Sequence, residues 1–420
     1  MKAFRMMTSS LYHTQGIKGF KHVATKFKGG ICYEKITRGE YCCPVCGSRE
    51  VSLYPVRERL IHGQSFGSKR LLLQVTIHRI HCRECQVTSY ENPDFLPYPK
   101  SRITRSLART ILELRREMSL SAIAAFYGVD WDAIKALEKN WLARKFRRIR
   151  MSEVRIIGID EIHVGHEWIE GKRRQKYLTV VRDMQSGGVL FVGHGKGCEA
   201  LAPFKARLNR FRGNIVAVCM DMSNAYAKWV NDCLPNATVV YDHFHVIQLM
   251  NQKLDQIRRQ VQARLDQEAV RQLKGKRWLL LHNSDNLSDD EKLSVKALRH
   301  VSQDLYDAWT LKEYLIKIYQ LADDGDEARR MLTDWAGICQ RMDIPELKTM
   351  GKTVEEHLDG ICAFWKFDRL TNAATEGFNN KIRHLIAQAY GYHDYEYMKL
   401  KIHELPSMKL TKQMLSTYLK

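Results

Sequence analysis

No stretch of this sequence approaches the roughly 20 consecutive apolar residues that a membrane-spanning helix requires. The first thirteen residues carry Lys2 and Arg5 but no continuous apolar core, so no signal peptide is expected either. Acidic residues are in short supply: 47 Asp plus Glu face 67 Lys plus Arg, a formal charge of +20. That balance points to a polyanion as partner, nucleic acid before an anionic membrane surface. A disulfide framework is also missing. The eleven cysteines are odd in number and scattered over 420 residues, which argues for a reducing cytoplasm. Asp323-Asp324-Gly325-Asp326 lacks the 12-residue ligand pattern of a calcium loop and reads as a turn.

What is present begins with two CxxC knuckles, Cys43-Pro-Val-Cys46 and Cys82-Arg-Glu-Cys85. Each turn brings two thiolates to one metal, so Cys43, Cys46, Cys82 and Cys85 predict one closed, structural Zn²⁺ site. Cys42 reads as a bystander, and His62 and His81 as weaker ligands. Between the knuckles, Val51–Ile61 and Leu71–Ile80 read as strands, with Leu71, Leu73, Val75 and Ile77 on one face, giving a zinc-ribbon-like unit. Residues 1–40 are basic and aperiodic, an arm or short strands with no function attached. Prolines at 93, 97 and 99 mark a boundary.

Residues 101–146 read as helices, and Ser119–Lys135 as a helix-turn-helix. Ile123, Ala124 and Tyr127 face inward, Gly128 ends the first helix, Asp130 caps the second, and Ile134 and Leu137 return to the core. Trp131, Asp132, Lys135, Lys139 and Arg144 then face a DNA groove, followed by the basic tail Lys145, Arg147 and Arg148.

From Val154 the pattern changes to short runs rich in Val and Ile, which suit central strands. Two of them stop on aspartates: Val154–Ile159 on Asp160 and Ile215–Met220 on Asp221. A third, Thr238–Tyr241, meets Asp242. Acids placed where neighbouring strands leave the core can share a hard cation. Three strands in a meander, then helix, strand, helix and strand, is the order of an α/β RNase H-like fold. Residues 244–370 are long and helical, as an insertion would be. A helix from Thr371 or Asn372 to Arg383 places Glu376, Asn379, Asn380 and Arg383 on one side. Lys381 and Arg383 on it are read as DNA contacts. The segments are thus 1–40 arm, 41–97 zinc unit, 98–150 helix-turn-helix, 151–247 first part of the catalytic core, 248–369 helical insertion, and 370–420 final core helix and basic tail.

The ordered motifs CPVCGS, CREC, the helix-turn-helix, GIDE, a strand ending in MDM, DHFHV and NAATEGFNNKIR resemble the insertion-sequence transposases of the ISL-three family over nearly the whole chain. These are bacterial DDE transposases with an RNase H-like catalytic domain. The resemblance implies Asp160, Asp221 and Glu376 as the catalytic acids, holding two Mg²⁺ or Mn²⁺ ions. Asp242 and His245 match the Asp-x-x-His signature that follows the second acid, and His243 stands where the family usually has another basic residue. Asn379 is an auxiliary candidate that orients Glu376 or touches phosphate. The implied function is to bind the terminal inverted repeats of an insertion sequence as a dimer or larger assembly, to cut with divalent metal, and to join 3′-hydroxyl ends to target DNA. The implied location is the bacterial nucleoid, with no membrane partner. Two rival readings are an RNase H-like nuclease that never joins DNA, and a DNA-binding regulator with an inactive catalytic domain.

Overall fold

The computed structural model describes residues 10–407. The chain forms two compact units, one up to Arg148 and the other spanning Ile149–Pro406.

The first unit opens with α1 (Ser10–Gln15) and five strands: β1 (Phe20–Lys28), β2 (Ile31–Arg38), β3 (Val51–Phe66), β4 (Lys69–Cys82) and β5 (Thr88–Tyr90). Their order is β1-β2-β4-β3, with β5 also on β4 and β2 running parallel to β4. Alternation on β4 buries Leu71, Leu73, Val75 and Ile77 with Cys32, Ile36 and Ile61. Residues 20–38 are therefore a hairpin built into this sheet, not a loose arm. The sequence concealed it because β1 is exposed along nearly all its length and shows no apolar period. Helices α2 (Arg105–Leu114), α3 (Leu120–Tyr127) and α4 (Trp131–Lys145) follow. Ser119 caps α3 through its side chain, and Gly128 ends it at φ 61°, a conformation glycine adopts cheaply. Asp130 occupies the N-cap of α4 but makes no side-chain capping bond, contrary to expectation. Ile123, Tyr127, Ile134 and Leu137 are buried, and Ala124 is half-buried. The Arg115 guanidinium meets Glu138 at 2.5 Å and ties the end of α2 to α4.

In the second unit, β6 (Ile156–Ile169), β7 (Lys172–Asp183) and β8 (Val189–His194) form an antiparallel meander. Then come α5 (Cys198–Leu208), β9 (Ala217–Met220), α6 (Asn224–Cys233) and β10 (Thr238–Tyr241). The sheet order is β10-β9-β6-β7-β8, with β9 parallel to both β6 and β10. The first strand does not stop at Asp160 as expected; β6 continues on β7 to Ile169. What ends near Asp160 is the pairing of β6 with β9, whose last pair is Gly158 and Cys219.

Helices α7 (His243–Arg264), α8 (Gln267–Leu273), α9 (Arg277–Leu281), α10 (Asp289–Ala297), α11 (Gln303–Leu321), α12 (Gly325–Arg341), α13 (Pro345–Glu356) and α14 (Leu358–Lys366) come next, then α15 (Ala373–Gln388) and α16 (Tyr395–Glu404). One hydrophobic cluster runs from the sheet (Val218, Met220, Tyr241) through α5 and α6 into α7, α11 and α12 (Met250, Leu315, Trp335). Leu178, Val180 and Val192 point the other way, onto Phe378 of α15 and Ile402 of α16. Helices thus cover both faces of the sheet, an α/β layering. The helical segment has its own polar fastening. Fully buried Lys312 donates to the carbonyls of Leu280 and His282 and pairs with Glu313 at 2.5 Å. Arg258, Arg259 and Arg277 all converge on Asp255.

Candidate active site

Three aspartates occupy one row of the parallel half of the sheet. The register of β6 on β9 pairs Ile156 with Ala217, an offset of 61, and 221 − 160 is also 61. The register of β9 on β10 pairs Ala217 with Thr238, an offset of 21, and 242 − 221 is again 21. Continued just past their last pairs, these registers set Asp160, Asp221 and Asp242 side by side where the parallel pairing of β6, β9 and β10 ends, the edge at which such sheets open a crevice.

Helix α15 brings the fourth acid. Its first turn is seated by Arg182, whose guanidinium lies 4.3 Å over the Phe378 ring and donates to Thr375 Oγ1 at 3.4 Å. The segment leading into α15 lies close to β6: a Cβ on Gly158 would meet Met184 Sδ and Asn372 Oδ1 at 2.4 and 3.1 Å, so this position has no room for a side chain. Glu376, Asn379 and Arg383 then share one stripe of α15 and line the same cavity as Asp160, Asp242 and His245, a space of about 740 Å³. Lys381 is exposed on the same helix but off this wall.

Asn379, nearly fully buried, donates its amide to Asp160 Oδ2 at 2.5 Å, and the Glu161 backbone N–H donates to Oδ1 at 2.8 Å. Burial nevertheless raises the Asp160 carboxyl above the ordinary range, with these two donors and His245 pulling the other way. Asn379 therefore contacts Asp160, not Glu376 as one sequence reading had it. Asp221 is off the cavity wall and its side chain is 55% exposed. It accepts the Met222 N–H at 2.6 Å and lies 3.6 Å from His245 Nδ1. Asp242 is buried and caps α7, accepting from Phe244 N and Thr371 Oγ1 at 3.2 Å each. Burial would raise its carboxyl, but His243 and the Phe244 amide hold it below the usual range. The two residues of the Asp-x-x-His signature thus face different partners: Asp242 binds the start of α7, and His245 reaches back to Asp221.

The sequence reading passed over Glu161. It accepts from the Tyr226 hydroxyl at 2.5 Å and from Gly197 N at 3.1 Å. A tyrosine five residues past Asp221 leaves no signal in the sequence that would pair it with Glu161.

A family model described as Transposase, of the ISL-three DDE type, matches residues 157–402. The chain belongs to the ISL-three family of transposases. The transposase is 30% identical to the transposase for insertion sequence element IS1001 of Bordetella parapertussis, over 88% of this chain and 90% of that one. It is 26% identical to the transposase for insertion sequence element IS1557 of Mycobacterium tuberculosis, over 83% and 82%. Among solved structures, a chain of the Drosophila P element transposase strand transfer complex aligns with 74% of this chain and 93% of its own, at 11% identity and a TM-score of 0.42. Among the described residues no helix is long and apolar enough to cross a membrane.

In the first unit the four knuckle cysteines come together. The sulfur atoms of Cys43, Cys46, Cys82 and Cys85 all lie within 4.8 Å of one another. Backbone amides of Cys46 and Val45 lower the Cys43 thiol, while the neighbouring sulfurs raise Cys46 and Cys85, as expected of thiols crowded together. His62 and His81 are outside the cluster, and His81 bonds Thr88 instead. On α4, Trp131 is exposed with the Lys135 ammonium 5.5 Å over its ring. Lys139 is half-buried, Arg147 and Arg148 are exposed, and Arg144 donates to the Pro97 carbonyl at 3.4 Å. Lys145 lies over the Trp141 and Phe146 rings.

Proposed function

We propose that this transposase binds the ends of an insertion sequence, cleaves DNA there with divalent metal, and joins the resulting 3′-hydroxyl ends to target DNA. The carrying observation is the row Asp160–Asp221, completed by Glu376 across the cavity. Sheet order and strand directions support an RNase H-like core, into which α7–α14 are inserted between β10 and α15. The donor set suits the ions: carboxylates from two strands and one helix are hard ligands, few enough to leave water positions open, as Mg²⁺ or Mn²⁺ prefers. The desolvation that raises Asp160 is the electrostatic cost a cation would offset. When bound, two such ions activate the attacking water or 3′-hydroxyl and stabilise the leaving oxygen.

The chain's own groups do the rest. Asp160, Asp221 and Glu376 hold the ions. Asn379 fixes the rotamer of Asp160, and His245 sits against the exposed side chain of Asp221. Asp242 holds α7 in place and stays ionised there. Arg383 on the cavity wall and Lys381 beside it offer cations to phosphates. In the first unit, α3 and α4 act as a helix-turn-helix, with Trp131, Lys135, Lys139, Arg144, Lys145, Arg147 and Arg148 as its DNA side. Cys43, Cys46, Cys82 and Cys85 hold one structural Zn²⁺. Pairing two element ends calls for a dimer or larger assembly on DNA.

The test uses purified protein, Mg²⁺ and labelled duplex carrying the element's own ends, with Asp160→Ala, Asp221→Ala and Glu376→Ala beside the wild type. Nicked and joined products, both lost in each variant while DNA binding persists, are expected. Cleavage retained in any of the three removes that acid from the site. Nicks without joining indicate a nuclease, and tight binding without cleavage a regulator.

A further inference from the structure

The β1–β2 hairpin has no role in the reading above. From Phe20 to Lys28 every residue after Phe20 is exposed, and among the described residues β1 has only β2 as a neighbour in the sheet. No acid occurs between Gly16 and Tyr33, whereas Lys18, Lys21, Lys26 and Lys28 fall within eleven residues. Among the described residues, none of the ammonium groups of Lys21, Lys26 and Lys28 has a carboxylate within ion-pair distance.

Lysines on an edge strand often serve only to block pairing with other chains. That purpose would be undermined by large apolar groups left in the open on the same strand. Here Val23 is 52% and Phe27 62% exposed, set between the lysines. The pairing with β2 sets Lys21, Lys26 and Lys28 opposite Thr37, Tyr33 and Ile31, on the face away from buried Cys32, while Phe27 lies opposite Cys32 on the other face, so the ribbon offers one cationic face to rows of phosphate. The major groove, about 12 Å wide, admits such a ribbon between two rows of phosphate. At about 3.4 Å per residue, the nine residues of β1 reach roughly 30 Å, about one helical turn of DNA.

We propose that the β1–β2 hairpin is a second DNA-contacting element of this transposase, with Lys21, Lys26 and Lys28 on one face of the ribbon against the phosphates of double-stranded DNA. This rests on the reading that the first unit binds DNA, and it adds a surface separate from α4.

The experiment uses the full chain and two duplex probes of equal length, one with the element's own end and one of random sequence. Binding is followed by fluorescence anisotropy across a salt series. Each phosphate contact contributes about 0.9 to the slope of log affinity against log salt. K21A/K26A/K28A is expected to lower that slope by about 2–3 on both probes. K21R/K26R/K28R keeps it, and Phe27→Ala, on the opposite face, changes the affinity by less than about twofold with the slope unchanged. Circular dichroism melting confirms that each variant is folded. A slope and affinity within error of wild type in the alanine triple, while R147A/R148A loses binding, would overturn the hairpin and leave the helix-turn-helix reading intact. Failure of the wild type to bind either duplex would overturn both.

Discussion

The Tyr226 hydroxyl donates to Glu161 Oε1 at 2.5 Å, and the Gly197 N–H reaches the same Glu161 oxygen and the Tyr226 oxygen, at 3.1 and 2.9 Å. Burial, with the Glu161 carboxylate beside it, pushes the phenol well above its usual range, so Tyr226 remains a donor at any working pH. This bond joins β6 one residue past Asp160 to α6 five residues past Asp221. Backbone pairing between β6 and β9 has already ended at Gly158 and Cys219. The side-chain bond takes over where the ladder stops, and it fixes the spacing of the two strand ends. Tyr226→Phe is therefore expected to fold and bind DNA as wild type, yet to need about tenfold more Mg²⁺ for half-maximal cleavage. Glu161→Gln, which keeps an acceptor, is expected to shift less. An unchanged Mg²⁺ titration in Tyr226→Phe would reduce the bond to packing.

Asn379 sets the other side of Asp160. Its Nδ2 donates to Asp160, while its buried Oδ1 has no hydrogen-bond partner among the described residues. Removing the donor with Asn379→Ala is expected to cost about 10–100-fold in cleavage, as outer groups around metal ligands commonly do. Asn379→Asp sets a second carboxylate against Asp160 and is expected to abolish cleavage at neutral pH. Both variants should keep the DNA affinity of wild type. A cleavage rate within twofold of wild type in Asn379→Ala would remove the residue from the mechanism.

How much of this was legible in the sequence follows from which interactions are local. The acids at the ends of β9 and β10 and the stripe on α15 were readable, because strand patterning and helical spacing are short-range. The true length of β6 was not. Its second half is polar and held by β7, a neighbour that composition does not reveal. The β1–β2 hairpin was legible only as an arm or short strands, for a related reason: its burial sits on Cys32, Glu34 and Ile36 of one strand, while the other is exposed. Asn379 was seen as facing the site, but its partner depends on how α15 lies across β6. The Glu161–Tyr226 bond spans 65 residues and belongs to the tertiary fold alone.

The four-cysteine cluster yields a prediction about the first unit alone. Thiols held within 4.8 Å of one another, two from the turn before β3, one from the last residue of β4 and one from the turn after it, clamp the open end of that strand pair. Native mass spectrometry is expected to find one Zn²⁺ per chain, lost in C43S/C82S. Structural zinc sites contribute on the order of 10 kcal/mol to small units. The variant should therefore lose the melting transition of the first unit and its DNA binding, while the second unit still melts cooperatively. Zinc-free wild-type protein that melts and binds DNA normally would argue against a metal there.

His403 on α16 carries the pH prediction. Its Nδ1 lies 3.0 Å from the Val189 carbonyl, and because a carbonyl only accepts, Nδ1 bears the proton. Burial, with Arg207 and Lys399 nearby, lowers its pKa from the ordinary 6.5 to about 4, so the ring is neutral in the folded protein at pH 7. Between pH 6.5 and 4 the unfolded chain takes up a proton that the folded chain refuses. The stabilisation is complete above 6.5 and is lost as pH falls through this window, by on the order of 3 kcal/mol at its end. His403→Asn keeps a donor for Val189 but cannot titrate. Melting temperatures measured from pH 7.5 to 4.5 should fall by several degrees more in wild type than in His403→Asn, most of the difference appearing below pH 6. Parallel pH curves for the two proteins would mean that His403 charges as readily in the folded state as in the unfolded one.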